Sequence, residues 1–333
     1  MSRINQILIV LLAVQTLGFV VGRSFSSDPT EQSTAVFFAD LDADKVTAIE
    51  ILGPPAVKKD DPPQNKVTVQ KTDGKWGIAD ADAYPVDDSK VTELVETLKK
   101  LRSRNRVLQS SVYHEKLEVS ADKYQRKLTV TAGDQKTVLY VGTSPRFKNV
   151  HVRLDGSDEV FLLNDFGTTQ LGDRAWNWVD RDYVKYPSEQ VWQVTVKNSK
   201  GEVQLQKDPV SSEWGVLGLD KALDKSTVDD FVRKASNVNL ESPVGKTVSA
   251  EFGLGADAAM VTLVTGTSTA TGLPPPTTKT VSWQIGKKLE AANQHYVKAN
   301  DNAYVVKVAA FGLTPLLEKT TEDFAAKAPE EEK

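Results

Sequence analysis

The sequence predicts an α+β protein: two tandem, similar units, each a mostly antiparallel sheet with one principal amphipathic helix, set after an N-terminal hydrophobic helix. Three observations carry this. The order strand, Trp-Gly, Pro-marked loop, helix occurs twice, at residues 67–101 and 203–238, with Trp76-Gly77 returning 138 positions later as Trp214-Gly215. Short alternating apolar runs bounded by turn residues dominate the rest. Residues 7–21, ILIVLLAVQTLGFVV, form a hydrophobic run interrupted by Gln15.

The 333 residues suffice for two domains, each with its own core. The division reads as 1–23, membrane anchor or signal segment; 24–44, linker; 45–182, first unit; 189–324, second unit; 325–333, disordered tail. Net charge is −4, which gives no overall electrostatic case for nucleic acid. There are no cysteines, so disulfides, thiolate metal sites and cysteine nucleophiles are excluded.

The run at 7–21 has the length of a signal-peptide apolar region or a short membrane span. It reads as an uncleaved anchor, a single helix in the inner membrane. The alternative is a signal peptide cleaved near Gly22, leaving a secreted protein. Either way the bulk of the chain is exported. Arg3 favours an inside N-terminus, and Arg23 weakens that asymmetry.

In the first unit, 45–52 alternates as a strand, and 53–65 is a Pro-rich exposed loop. Residues 66–71 and 75–78 form a hairpin across Thr72-Asp73-Gly74, ended by Pro85. A helix follows, capped by Asp88 or Ser89. Val91, Leu94, Val95, Leu98 and Leu101 lie on one stripe of it. Strands are expected at 127–131 and 137–141, and a hairpin joins 149–154 to 159–163 through Asp155-Gly156. A helix is expected within 162–179.

The second unit matches in order. Ser89, Val91, Leu94 and Val95 correspond to Ser226, Val228, Phe231 and Val232, where Ser226 and Asp229 read as a capping box. Leu117, Val119 and Ala121 correspond to Phe252, Leu254 and Ala256. Gly142 corresponds to Gly286, His151 to His295, and Phe166-Gly167 to Phe311-Gly312. A repeat of this length is a domain duplication rather than a solenoid.

Little of this is chemical. Trp76, Gly77, Trp214 and Gly215 read as structural core of the two copies, because a strand Trp buries a large apolar area. His151 and His295 hold equivalent strand positions, a weak candidate surface, and neither they nor His114 has a sequence partner for a metal. Lys99, Lys100, Arg102 and Arg104, in a basic run reaching Arg106, are a weak candidate surface for anionic lipid or polysaccharide; positive charge at a helix C-terminus also satisfies the dipole. Asp40, Asp42, Asp44, Asp60 and Asp61 lack the spacing of a calcium loop. No phosphate loop, nucleophile elbow or zinc motif is found. No cofactor or metal site is expected, and no enzymatic activity.

The N-terminal segment, the hairpin before Trp76-Gly77, the Pro85 loop, the capped helix through Leu101, and Leu117-Glu118-Val119 with its counterpart Phe252-Gly253-Leu254 together resemble a known family. It is an uncharacterised domain-of-unknown-function family of membrane-anchored bacterial envelope proteins, encoded beside subunits of gliding-motility-type ABC transporters. The resemblance supplies no catalytic residues. It implies an extracytoplasmic accessory or scaffold protein of an ABC-type transport system, partnered by the membrane and by permease or auxiliary subunits. The alternatives are an exported module binding cell-wall glycan or lipid, or an envelope hydrolase.

Overall fold

The computed structural model describes residues 34–56, 58, 63–267 and 274–326. The hydrophobic helix expected at 7–21 lies outside the described residues. So does 327–333 of the expected tail.

Two antiparallel sheets organise the described chain. From edge to edge the first runs Tyr84–Pro85, Lys75–Ile78, Lys66–Thr72, Val46–Leu52, Arg126–Ala132, Gln135–Val141, Asn149–Leu154, Glu159–Asn164 and Arg106–Gln109. The second runs Trp214–Val216, Gly201–Lys207, Val191–Asn198, Ala259–Thr265, Lys279–Leu289, Gln294–Ala299, Val305–Ala309 and Ser242–Gly245. Apart from the added Tyr84–Pro85 edge, the two orders agree strand for strand. A two-stranded pair repeats as well. Ala35–Val36 pairs with Arg102–Ser103, and Asp182–Lys185 pairs with Asn237–Asn239. The α+β reading and the duplication thus extend to topology.

Each sheet carries a helix, α1 (Asp88–Lys99) in the first unit and α2 (Lys225–Ser236) in the second. Val91, Leu94, Val95, Leu98 and Leu101 are all buried, as their spacing requires. They share one core with Ile49, Ile51, Leu128 and Val130 of the sheet. Each fully buried aliphatic side chain of this kind contributes roughly 1.5–3 kcal/mol. The caps lie one or two residues earlier than expected. Asp87 accepts from the Ser89 amide at 3.0 Å and the Ser89 hydroxyl at 2.5 Å. Asp224 does the same for Ser226, at 3.1 and 2.8 Å, and takes Thr227 Oγ1 at 2.6 Å. Ser226 is therefore a donor to the cap, not the cap itself, and the repeated signal is Asp-x-Ser.

The end of each unit closes on that same cap. The Asp87 amide donates to the Trp178 carbonyl at 2.7 Å, and the Asp224 amide donates to the Phe324 carbonyl at 2.9 Å. Trp178 and Phe324 are both buried. Another repeated device lies on the far face of each sheet, where residues 117–119 and 252–254 cross over the strands. A Cβ on Gly142 would stand 2.1 Å from the Leu117 carbonyl oxygen, and one on Gly286 would stand 2.2 Å from that of Phe252. Glycine there lets two backbones touch.

Five expectations are corrected. The 24–44 linker is structured from Thr34, because Phe37 and Phe38 are buried and Phe37 packs edge-on against Phe161 at 5.6 Å. Pro85 does not end the sheet: it pairs with Gly77 as an outer edge, where a missing N–H costs nothing. No α-helix forms within 162–179. Asp165 takes φ 57°, Phe166 and Leu171 plug the core, and only a 3-10 turn, Ala175–Asn177, is present. Its counterpart in the second unit is helical, α3 (Ala310–Glu318), so two α-helices are present among the described residues of that unit. There Leu313 and Leu316 are buried and Phe311 is exposed, opposite to the matched Phe166. Lastly, Ala325 and Ala326 belong to the fold: Ala325 bridges Leu223 and the Ala326 amide donates to Ala222 at 2.7 Å.

The two Trp-Gly glycines differ. A Cβ on Gly77 would sit 2.8 Å from three backbone atoms of Ala83, whereas one on Gly215 would meet only the Gln206 oxygen at 3.7 Å. Gly77→Ala is expected to cost about 1–3 kcal/mol in urea unfolding, and Gly215→Ala to stay within about 0.5 kcal/mol of wild type. Equal effects at the two positions would contradict the Tyr84–Pro85 edge.

Candidate functional site

Trp76 and Trp214 pack against the core but are half-buried, not the buried centres expected. Each is covered by the lysine opposite it in the hairpin register. Lys71 pairs with Trp76 and its Nζ lies 5.9 Å from the ring; Lys207 pairs with Trp214 at 5.1 Å. Lys207 also lies 5.7 Å from the Trp192 ring and donates to the Ser188 and Glu189 carbonyls at 3.2 and 3.3 Å. Burial lowers its pKa from the usual lysine value, with Glu189 opposing that shift. The indole faces a ligand would stack on are thus partly taken by cations of the chain.

Trp214 does line an open hollow of ≈ 460 Å³ between the hairpin and the start of α2, with Ser212, Glu213, Leu223, Lys225 and Val228. In the first unit the corresponding sheet edge is extended by Tyr84–Pro85.

The basic run is dispersed. Lys99 is paired with Glu96 at 2.9 Å, and Arg106 with Glu159 at 2.8 Å. Lys100, Arg102 and Arg104 are exposed at the end of α1, in the short strand Arg102–Ser103 and just after it, and Arg104 Nε donates to the Thr34 hydroxyl at 2.9 Å.

His151 and His295 are buried at matching places, each turned onto its own unit's backbone. His151 Nδ1 lies 2.9 Å from the Thr143 hydroxyl and 3.1 Å from the Thr143 carbonyl oxygen. His295 Nδ1 donates to the Gly286 carbonyl at 2.9 Å. The rings therefore fasten the backbone at the close-approach glycine, Gly286 itself in the second unit and Thr143 beside Gly142 in the first. Burial lowers the His151 pKa from its ordinary 6.5, against a smaller raising effect of the Thr143 backbone. His114 Nε2 faces the Asp158 carbonyl at 3.1 Å. Among the described residues no three His, Asp or Glu side chains are placed to hold a metal ion.

The site that sequence reading missed is the junction between units. Asp82 and Ala83 take φ of 51° and 56°, a left-handed pair that non-glycine residues adopt at a cost. They aim the loop at the second unit. Asp82 Oδ2 accepts from the Lys246 amide at 2.7 Å, next to Gly245, whose φ is 144° and whose missing Cβ would lie 2.7 Å from that oxygen. The Tyr304 hydroxyl donates to the Asp82 and Ala83 carbonyls at 3.3 and 3.2 Å. Its ring meets Tyr84 edge-on at 4.8 Å and carries Lys246 Nζ at 5.1 Å. Behind it, the Tyr183 hydroxyl donates to the Tyr304 carbonyl at 2.6 Å and accepts from the Ala299 amide at 2.9 Å. Burial, with Asp180 and Tyr304 adding, pushes the Tyr84 hydroxyl up to about 12. Burial also raises Tyr183 well above the usual phenol value. At the 138-residue offset of the Trp-Gly pair Asp82 falls on Asp220 and Tyr84 on Ala222, and Tyr304 falls on Glu159 at the offset of the Phe-Gly pair. The two tyrosines stand outside the repeat, and that was their only sequence signal.

A family described as a domain of unknown function (DUF4340) matches residues 76–241. The match begins at Trp76 and ends just after α2, so it takes in the Asp82–Tyr84 loop but stops before its partners Gly245, Lys246 and Tyr304. No curated protein and no solved structure matches. An uncharacterised domain family is thus found where the resemblance placed one.

The His151 shift has a definite sign. The folded value lies below the unfolded one, so the unfolded chain binds more protons as pH falls. The stability held by neutral His151 is complete above the unfolded value and drains away as pH drops toward the folded value. His151→Asn, which keeps a donor near the Nδ1 position, should flatten the fall in stability between about pH 7 and pH 5 in urea titrations. An unchanged slope would contradict this role.

Proposed function

We propose that the chain is a non-enzymatic, extracytoplasmic accessory or scaffold protein of an ABC-type transport system, held at the membrane by residues 7–21. The observation that carries this reading is the junction. Two copies of one sheet-and-helix unit share a core, and the second unit donates hydrogen bonds from the Lys246 amide and the Tyr304 hydroxyl to Asp82 of the first. A locked pair of broad sheets suits a protein that holds other components at a fixed spacing. The family resemblance supplies the transport context, and the side chains with perturbed protonation serve packing or caps. The alternative, a module for cell-wall glycan, draws support from the hollow at Trp214 alone.

Affinity capture of the full-length protein from crosslinked membranes tests the proposal. Permease or auxiliary subunits of a transporter should be recovered. Clean recovery of none, together with retention on purified cell-wall polymer that Trp214→Ala abolishes, would favour the glycan reading instead.

A further inference from the structure

We infer that the end of the first sheet carrying Phe147 docks onto an anionic lipid bilayer. This rests on the reading of residues 7–21 as a membrane anchor, and it adds which face of the protein meets the lipid.

The loop joining Gln135–Val141 to Asn149–Leu154 presents Phe147 at its tip, 88% exposed. Arg146 and Lys148 flank it and are exposed as well, with Lys148 Nζ 5.8 Å from the ring. The tip is built rather than loose. The Ser144 hydroxyl lies 2.8 Å from the Arg146 carbonyl and 2.6 Å from that of Asn149, and the Asn149 amide donates back to Arg146 at 3.0 Å. Asn149 Nδ2 ties its base to Asn164 at 2.5 Å. A single exposed apolar residue needs no explanation. An aromatic ring held between two cations at a projecting tip has the composition of an interfacial anchor: the ring suits the headgroup boundary and the cations suit anionic lipid.

Position makes the lipid assignment specific. The described chain starts at Thr34, which is bonded to Arg104, while Ala35 pairs with Ser103. The Ser103 hydroxyl donates to Leu162, and Asn149 pairs with Asn164, so both meet the same end of Glu159–Asn164. The chain therefore enters the fold on the end of the sheet from which Phe147 projects. Twelve residues, 22–33, join the apolar run to this point. They span at most about 40 Å. Exposed Arg102 and Arg104 add positive charge beside the entering chain. The second unit contacts the opposite edge of the same sheet, through Asp82 and Tyr84, and leaves this end open.

Because the chain has no cysteine, Phe147→Cys in the full-length protein takes a single environment-sensitive fluorophore. Val210→Cys, 76% exposed in the second unit, serves as the control. The protein is reconstituted in phosphatidylcholine–phosphatidylglycerol vesicles containing a lipid-borne quencher. The label at position 147 should be quenched and the label at 210 should not. Replacing Arg146 and Lys148 by Glu around the label at 147 should lower the docked-to-free ratio, and neutralising each cation alone should lower it roughly fivefold. Protein that floats with the vesicles but quenches equally at both positions overturns this inference and leaves the anchor standing. Protein that fails to float withdraws the anchor and the inference together. Equal quenching at 147 in pure phosphatidylcholine overturns the anionic-lipid assignment.

Discussion

Tyr304 leans its ring edge-on against Tyr84 and returns its hydroxyl to two carbonyls of the loop that holds Tyr84. That contact is made possible by left-handed Asp82 and Ala83 on one side and by Gly245 on the other. A pair of aromatic rings at this distance is worth about 0.5–1.5 kcal/mol beyond the area it buries. The hydrogen bonds to Asp82 are exposed and the one to Ala83 is part-buried, so each adds about 0.5–1.5 kcal/mol at most. The two units, which share one core, are joined here as well.

The duplication explains why this contact is asymmetric. Both units repeat their strand order, their Asp-x-Ser cap, the amide that closes on a large buried aromatic, and the glycine under a crossing segment. These features hold each unit together, so each copy needs them. Contacts between units need only one donor surface and one acceptor surface. The first unit supplies an extra edge, Tyr84–Pro85; the second supplies Tyr304 and the bend at Gly245. The same division separates Gly77, which has a backbone against it, from Gly215, which has space. The Trp-Gly motif is thus one sequence with two mechanical duties.

Most of the fold was legible because it is periodic. The α1 stripe from Val91 to Leu101 and the Asp155-Gly156 hairpin follow from spacing and turn chemistry alone, and the repeat doubled every signal. The segment after Asn164 was not legible. Phe166 and Phe311 match in sequence, yet one is a core plug after a left-handed Asp165 and the other stands exposed on α3. Tertiary packing decides such a segment, and a local pattern cannot report it. Phe37 and Phe38 were hidden for a similar reason: the short apolar run 35–39 shows no period, and the acidic residues from Asp40 on made the segment read as a connector. The candidate residues fared differently. The Trp and His positions were found through the repeat, but their contacts turned out to be structural, and the basic run separated into paired and exposed members. Tyr84 and Tyr304 of the junction and the Phe147 tip break the repeat, so matching one half against the other passed over them.

The central claim is that the Tyr304 clamp makes the two units one rigid body. It is tested most directly by a distance distribution between spin labels on Val112→Cys and Val210→Cys, both strongly exposed and one in each unit. The cysteine-free chain confines the labels to those two sites. The account predicts a single narrow distance in the otherwise native protein. It predicts a broad distribution when Tyr304→Ala is added, with circular dichroism showing both units still folded. An equally narrow distance after Tyr304→Ala would contradict it.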